Sequence, residues 1–195
     1  MIALLPLYDA RTMSDSAQNL AARVAPDDVA KIAADALAWL VAEGIVEERA
    51  DDSGLGRPGH RPGRNAASVV VEQKAGVMDF RKLRTNGMEL HCEGWSVLTS
   101  NDEMPSFACP SCHAEVDVDD VLPHLDGQVS AGTTLPEVAC PKCEKRSPLL
   151  SLEVRNGAVT NLSFHFWNWW PLSPAFVQRL EKQCGVSLAV FYERF

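Results

Sequence analysis

The chain is short of positive charge and lacks the motifs of the common nucleotide-binding and hydrolytic enzymes. It has 18 Lys and Arg residues against 26 Asp and Glu residues, a formal net charge of −8. This excess of negative charge opposes general affinity for nucleic acid or for an anionic membrane. The sequence has no Walker-type phosphate loop, no G-x-G-x-x-G between a strand and a helix, no H-E-x-x-H and no G-x-S-x-G.

Long apolar runs are also missing. The stretch Met1–Tyr8 is apolar but short, it has no basic residues, and Asp9 follows it at once. We therefore expect neither a signal peptide nor a membrane span. Four of the six cysteines lie in pairs typical of metal ligands, which fits a reducing compartment better than a disulfide framework. The sequence predicts a cytoplasmic protein with no membrane partner.

Two short cysteine motifs are the strongest chemical signal in the chain. They are Cys109-Pro110-Ser111-Cys112 and Cys140-Pro141-Lys142-Cys143, with 27 residues between them. Two residues between paired thiolates let both sulfurs face one point, and two such pairs complete a tetrahedron of soft ligands. This donor set suits Zn²⁺, and a closed shell of four ligands makes the ion structural rather than catalytic. The sequence therefore predicts one structural Zn²⁺ as the cofactor.

Other interpretations of the same residues are weaker. Cys109–His113 also spells C-x-x-C-H, the pattern of c-type haem attachment, and a thioredoxin-like redox pair would use a single C-x-x-C. His91-Cys92-Glu93 gives the H-x-E of zinc deaminases. An alternative metalloenzyme would combine His91 and Glu93 with the first cysteine motif, Cys109–Cys112, and leave one metal position open. Each of the two motifs is called a knuckle below.

Proline stands in the second position of both cysteine motifs, as in zinc ribbons, which residues 109–143 resemble. The resemblance implies a ribbon over about residues 105–147, with the four cysteines as the ligands of one ion.

The N-terminal third predicts two helices followed by a basic loop. A capping pattern at Thr12–Asp15 predicts a helix over Ser14–Val24, and apolar residues at helical spacing predict a second over Asp27–Glu43. A loop rich in Gly, Pro and Arg then covers Asp51–Arg64.

This succession resembles a winged helix-turn-helix domain over residues 14–64, within a predicted helical region that covers residues 1–65. The resemblance implies a nucleic-acid interface in which the basic loop contacts the backbone through Arg57, Arg61 and Arg64. The acidic start of the second helix, Asp27 and Asp28, would repel phosphates. A winged-helix shape used for protein contact therefore agrees better with these residues.

Residues 66–195 predict an α+β domain. We expect short strands at 2–8, 68–72 and 95–99, and hairpins at Asn86-Gly87 and Asn156-Gly157. Ser173-Pro174 predicts a helix start and Gly185 its end, with a last strand at 186–192. The predicted fold is α+β: a helical winged-helix-like N-terminal part, a mainly antiparallel sheet with an inserted four-cysteine zinc ribbon, and a C-terminal β-hairpin–helix–strand unit.

Two segments are candidate partner surfaces. The first carries the carboxylates of Glu115, Asp117, Asp119 and Asp120, which form either a solvated face or a patch that attracts a basic protein. The second is rich in aromatic residues: Trp167, Trp169 and Trp170 are either core residues or a docking surface. No Lys or Arg lies between Asn156 and Val177, which opposes base stacking by these rings.

The sequence therefore predicts a non-enzymatic zinc-binding module that contacts a protein partner, as antitoxin-like, immunity-like or adaptor proteins do. The alternative is a transcription regulator that binds nucleic acid through a winged helix and a zinc ribbon.

Overall fold

The computed structural model describes residues 15–72, 78–100 and 104–194. These residues form two α-helices and fourteen β-strands, joined in places by short 3₁₀ turns. The helices are α1 (Val29–Ala42) and α2 (Pro174–Cys184). The strands are β1 (Ser16–Ala22), β2 (Val46–Asp51), β3 (Gly59–Pro62), β4 (Met88–His91), β5 (Gly94–Leu98), β6 (Ser106–Ala108), β7 (Glu115–Val116), β8 (Asp126–Ser130), β9 (Glu137–Ala139), β10 (Arg146–Pro148), β11 (Glu153–Arg155), β12 (Ala158–Thr160), β13 (Leu162–Trp167) and β14 (Ala189–Arg194).

The main sheet has six antiparallel strands in the order β14-β1-β13-β4-β3-β2. The register sets Leu20 opposite Phe164 and Phe164 opposite Leu90, so these side chains lie on one face of the sheet. On this face the strands share one hydrophobic core with α1 and α2. Strands from both sides of residue 65 belong to this single sheet.

Helix α1 forms because its apolar residues recur on one side. Val29, Ala33, Ala36 and Leu40 are all buried against the sheet. The helix ends where Gly44 adopts a positive φ of 67°, which a glycine accepts without strain. This confirms the helix that the sequence predicts at Asp27–Glu43, with shorter ends.

Helix α2 begins and ends at the predicted signals. The Ser173 hydroxyl accepts a hydrogen bond from the N–H of Phe176 at 3.2 Å, Pro174 occupies the first helical position, and Gly185 ends the helix with a φ of 71°. Phe176 and Leu180 face the sheet, and burying each stabilises the fold by about 1.5–3 kcal/mol. Neither helix of the described residues is long and apolar enough to cross a membrane.

A second module is inserted between β4 and β13, which are paired neighbours in the main sheet. Strands β5 to β12 form three small sheets, ordered β12-β5-β8, β11-β6-β7 and β10-β9. They surround a separate hydrophobic core that includes Trp95, Phe107, Val121 and Leu149. This module, residues 92–161, is called the insertion below.

The winged-helix prediction is wrong. The segment predicted as the first helix, Ser14–Val24, forms strand β1 from Ser16 to Ala22, so within the described residues a single helix precedes β2. Strand β1 pairs with β13 on one side and β14 on the other, and it is buried from Ala17 to Ala22. Burial on both faces removes the polar–apolar alternation that marks a strand, and tertiary pairing overrides the local helix propensity.

Three predicted β features also differ. The strand predicted at 68–72 does not form, and its first two residues belong to a 3₁₀ turn, Ala66–Val69. The Asn86-Gly87 pair forms no hairpin, because β4 pairs with β3 and β13, and the Asn86 side chain donates to the carbonyl of Phe80. A turn does occur at Asn156, with a φ of 56°, but the flanking strands β11 and β12 pair with β6 and β5. The strand predicted at residues 2–8 lies outside the described residues.

Candidate metal centre

The two cysteine motifs fold into the same turn. In the first, the N–H of Cys109 donates to the carbonyl of Ala114 and the N–H of His113 donates to the carbonyl of Cys109, both at 2.9 Å. The second motif repeats both bonds at 2.9 Å: the N–H of Cys140 donates to the carbonyl of Lys145, and the N–H of Glu144 donates to the carbonyl of Cys140. The fifth residue of each motif, His113 or Glu144, has a positive φ, of 56° and 60°. One knuckle joins β6 to β7 and the other joins β9 to β10.

The knuckles bring the four sulfurs together. The Sγ of Cys109 lies 3.8 Å from that of Cys143, and the Sγ of Cys112 lies 3.6 Å from that of Cys140. Four sulfurs at tetrahedral positions about 2.3 Å from one ion are about 3.8 Å apart. All six cysteines are free thiols. The cluster can therefore hold a metal ion such as Zn²⁺.

Backbone N–H groups favour thiolates within the cluster. Those of Cys143 and Lys142 lower the pKa of Cys140 to about 6, although burial opposes the change. The N–H of Ser111, 3.4 Å from the Cys109 sulfur, lowers the pKa of Cys109. A backbone hydrogen bond at Ala114 acts to lower the pKa of Cys112, but burial and the neighbouring thiols instead raise it to about 11. Thiolates are the form of cysteine that binds metal, so the backbone of these turns favours the ligand state at Cys109 and Cys140.

The cluster is made of the four cysteines without the neighbouring histidine. His113 turns away, and its Nδ1 lies 2.8 Å from a carboxylate oxygen of Glu153. The structure does not bring His91 and Glu93 to the first knuckle as the alternative metalloenzyme requires. His91 lies with a different group of residues, and Glu93 pairs with Arg57 at 2.8 Å. Four thiolates fill a tetrahedral shell, which is typical of a structural site.

The acidic segment follows directly after the first knuckle. The Asp117 carboxylate accepts the N–H of Asp119 at 3.0 Å and so caps the short turn Val118–Asp120. All four predicted carboxylates are on exposed residues. Glu115, Asp117, Asp119 and Asp120 form no ion pair within the part of the chain that the structure describes.

The predicted tryptophan segment is mostly buried. Trp167 and Trp169 are buried, and the Trp169 Nε1–H donates to the carbonyl of Asn86 at 2.6 Å. The ring of Trp169 packs on Phe80, with centroids 5.0 Å apart. Trp170 is half-buried and donates to the carbonyl of Met78 at 3.2 Å. A partner can reach Trp170 without moving the core, whereas Trp167 and Trp169 are out of reach.

The segment predicted as a basic loop, Asp51–Arg64, contains strand β3: Arg57 precedes the strand, Arg61 lies in it and Arg64 follows it. Two of these arginines form ion pairs with acidic neighbours. The Arg61 guanidinium lies 2.6 Å from the Asp51 carboxylate and 3.6 Å from that of Asp52. Arg57 pairs with Glu93. Arg64 is exposed.

A second group of possible metal ligands was missed by the sequence analysis. Glu89 and His91 on β4 and His165 on β13 place their ligand atoms within 4.8 Å of one another. The His91 Nε2 lies 2.9 Å from a Glu89 carboxylate oxygen, and the two imidazole rings stack with centroids 4.1 Å apart. The only local signals were a glutamate and a histidine two residues apart on one strand face, and a polar residue between Phe164 and Phe166.

Burial and hydrogen bonding set the charge states in this group. Burial acts to raise the pKa of Glu89, but hydrogen bonds from His91 and from the N–H groups of Gly56 and Arg57 lower it to about 2. Burial lowers the pKa of His165 to about 3, and the neighbouring His91 adds to the effect. The group therefore combines a carboxylate with a neutral imidazole.

Comparisons of the chain with protein-family models, with curated proteins and with solved structures found no match.

Proposed function

We propose that the chain is a non-enzymatic, zinc-stabilised protein-binding module, in which the insertion presents an acidic surface to a basic protein partner. The main support is the position of the acidic segment: four exposed carboxylates on residues 115–120 directly follow the first knuckle turn. The turn is held at one end by the four-cysteine cluster, so the metal orders the surface beside it. This surface is called the acidic face below.

Zinc is the ion that we assign to the cysteine cluster. The sulfur spacings of 3.6 and 3.8 Å agree with tetrahedral thiolate ligands. Because no position of such a shell is open to substrate, we assign the ion a structural role.

The electrostatics of the insertion favour a cationic partner. Residues 104–150 contain seven acidic and three basic side chains, a formal charge of −4. Four thiolates around Zn²⁺ add two further negative charges. A field of this sign raises the association rate of a basic protein and weakens as salt concentration rises.

The acidic face can be tested with a matched pair of charge-neutralising variants. Glu115→Gln, Asp119→Asn and Asp120→Asn together remove three charges and leave the capping carboxylate of Asp117 in place. Glu47→Gln, Glu48→Gln and Glu72→Gln remove the same number from exposed residues elsewhere. A protein captured from host lysate by the wild type, in the presence of nuclease, is purified and its Kd is measured against each variant at two salt concentrations.

The acidic-face variant is expected to raise Kd by about tenfold or more, mainly through slower association, because each carboxylate attracts the cationic partner during its approach. The control variant should change Kd by less than about threefold, because its charges lie elsewhere and exposed pairs contribute little. Equal losses in the two variants would contradict the proposal, as would capture that depends on nucleic acid.

A further inference from the structure

The face of the main sheet that points away from the two helices carries a row of polar side chains. The strand register places Asn19 on β1 opposite His165 on β13, and His165 opposite Glu89 on β4. Directly opposed residues share a face, so the three side chains lie side by side across three strands. The next row along contains Ser163 opposite His91. Burying this much polarity on a sheet face costs free energy unless each group is satisfied.

The donor atoms have the spacing of ligands of one ion. The His91 Nε2 and a Glu89 carboxylate oxygen are 2.9 Å apart, and all three residues offer atoms within 4.8 Å of one another. Two ligands at about 2.1 Å from one ion, at angles of 90–109°, lie about 3.0–3.4 Å apart. Two imidazoles and one carboxylate are the ligand set of catalytic zinc sites and of non-haem iron sites that keep open positions.

Neighbouring groups orient these donors. One carboxylate oxygen of Glu89 accepts N–H groups of the β2–β3 loop, from Leu55 at 2.7 Å and Gly56 at 3.0 Å, while the other oxygen faces His91. The Ser163 hydroxyl lies 2.9 Å from the His165 Nε2. A serine oxygen that accepts the Nε2 proton leaves the lone pair of the imidazole on Nδ1. Supporting hydrogen bonds of this kind are the usual companions of metal-bound histidine and carboxylate.

Two further observations support a ligand at this position. Glu89 is 1 % exposed, and its carboxylate is held by loop N–H groups and by His91, with no lysine or arginine side chain beside it among the described residues. A buried carboxylate next to two imidazoles is a donor group that a divalent cation would neutralise. In addition, Asn19 is completely buried, and neither its carboxamide oxygen nor its nitrogen has a hydrogen-bond partner in the part of the chain that the structure describes. An orphaned amide next to the donors can bind a water or an oxygen ligand on an ion.

We propose that Glu89, His91 and His165 form a second metal site, which binds a divalent transition-metal ion such as Zn²⁺ and leaves open positions for water or a small oxygen ligand beside Asn19. The His91 side chain is 29 % exposed, so solvent reaches the site from its side. Unlike the four-cysteine site, this one has a place for an exchangeable ligand. It goes beyond the protein-binding function and does not depend on it.

Titration of the metal-depleted full chain with Co²⁺ tests the site, because cobalt replaces zinc and its spectrum reports its ligands. The first equivalent should produce the thiolate-to-cobalt charge-transfer band of the cysteine cluster. A second equivalent should bind without increasing that band, since its ligands are nitrogen and oxygen. His91→Gln and His165→Gln should each lower the affinity for the second Co²⁺ ion by about 100-fold or more, because loss of a residue that only supports a ligand already lowers metal affinity by about 10–100-fold.

The charge-transfer band also shows that each variant still folds its insertion, and tryptophan fluorescence reports mainly on the main sheet and its helices, since Trp95 is the tryptophan of the insertion core. His124→Gln is the matched control, since that histidine lies on a short turn of the insertion away from the proposed donors, and it should keep both equivalents. If the wild-type chain binds only one equivalent of Co²⁺, the proposal is overturned. A second equivalent that survives both His91→Gln and His165→Gln, or that is lost in His124→Gln, would overturn it equally.

Discussion

Replacing Cys140 with serine is expected to lower the bound zinc by one ion per chain and to unfold the insertion, while the main sheet stays folded. Strands β9 and β10 form a two-stranded sheet, and within the described residues they pair with no other strand. An isolated hairpin is marginal in water. The shared cluster joins its knuckle to that of β6 and β7, so loss of one ligand releases the hairpin.

The expected effect is large, because structural zinc supplies about 10–16 kcal/mol of apparent binding free energy in zinc-finger peptides at neutral pH. Even a fraction of this exceeds what a small core provides by itself. Cys140 is also 3 % exposed and packs in the core of the insertion, which adds to the loss.

Metal analysis and limited proteolysis with mass spectrometry measure this outcome. Cleavages should concentrate within residues 104–150, and the strands of the main sheet should stay protected. Cys92→Ser is the control, because Cys92 is a half-buried thiol outside the cluster. This variant should bind as much zinc as the wild type. Unchanged zinc content in Cys140→Ser, or cleavage spread evenly over both modules, would contradict the structural role.

Glu89→Ala is expected to lower the free energy of unfolding of the main sheet by about 3–5 kcal/mol at neutral pH. The carboxylate is buried, and it accepts three N–H groups of the β2–β3 loop together with a hydrogen bond from His91. Alanine removes the acceptor of all these donors, and an unsatisfied donor costs about 1–3 kcal/mol where water cannot replace the lost acceptor.

Glu89→Gln should lower the free energy of unfolding by about half as much as Glu89→Ala. The amide oxygen of glutamine still accepts hydrogen bonds, although more weakly than a carboxylate. Urea unfolding followed by tryptophan fluorescence measures both variants, since Trp167 and Trp169 lie in the main sheet region. Glu93→Ala is the matched control: that carboxylate is 68 % exposed and pairs with Arg57, so its removal should cost less than about 1 kcal/mol. If Glu89→Ala is no more damaging than Glu93→Ala, the buried carboxylate does not hold the loop.

The features that the sequence analysis predicted correctly rest on local signals. The cysteine motifs specify their own turns through two intervening residues, and both knuckles form as predicted. Helix α2 has its serine cap, first-position proline and terminal glycine within a dozen residues. In each case the interactions that form the element lie within a few residues of one another, so the pattern along the chain is sufficient.

The features that were missed depend on pairing between distant residues. Strand β1 is identifiable only from its partners β13 and β14, since small residues buried on both faces leave no alternation. The group of Glu89, His91 and His165 exists because β4 pairs with β13 across the whole insertion. The register of that pairing cannot be read from any one window of sequence.

The place of the insertion also bears on how the chain folds. His91 and Ser163 are paired neighbours, yet residues 92–162 separate them along the chain. Inside the insertion, β5 and β12 pair with each other, with Ser96 opposite Thr160, close to both ends of this segment. Once they have paired, only a few residues on each side remain to be closed before β4 meets β13, which reduces the loop-closure entropy by about 2 kcal/mol. Trp95 and Val159 of these two strands share a core with Cys109 and Cys140, so a metal that orders the insertion is expected to promote assembly of a sheet that contains none of the four cysteines.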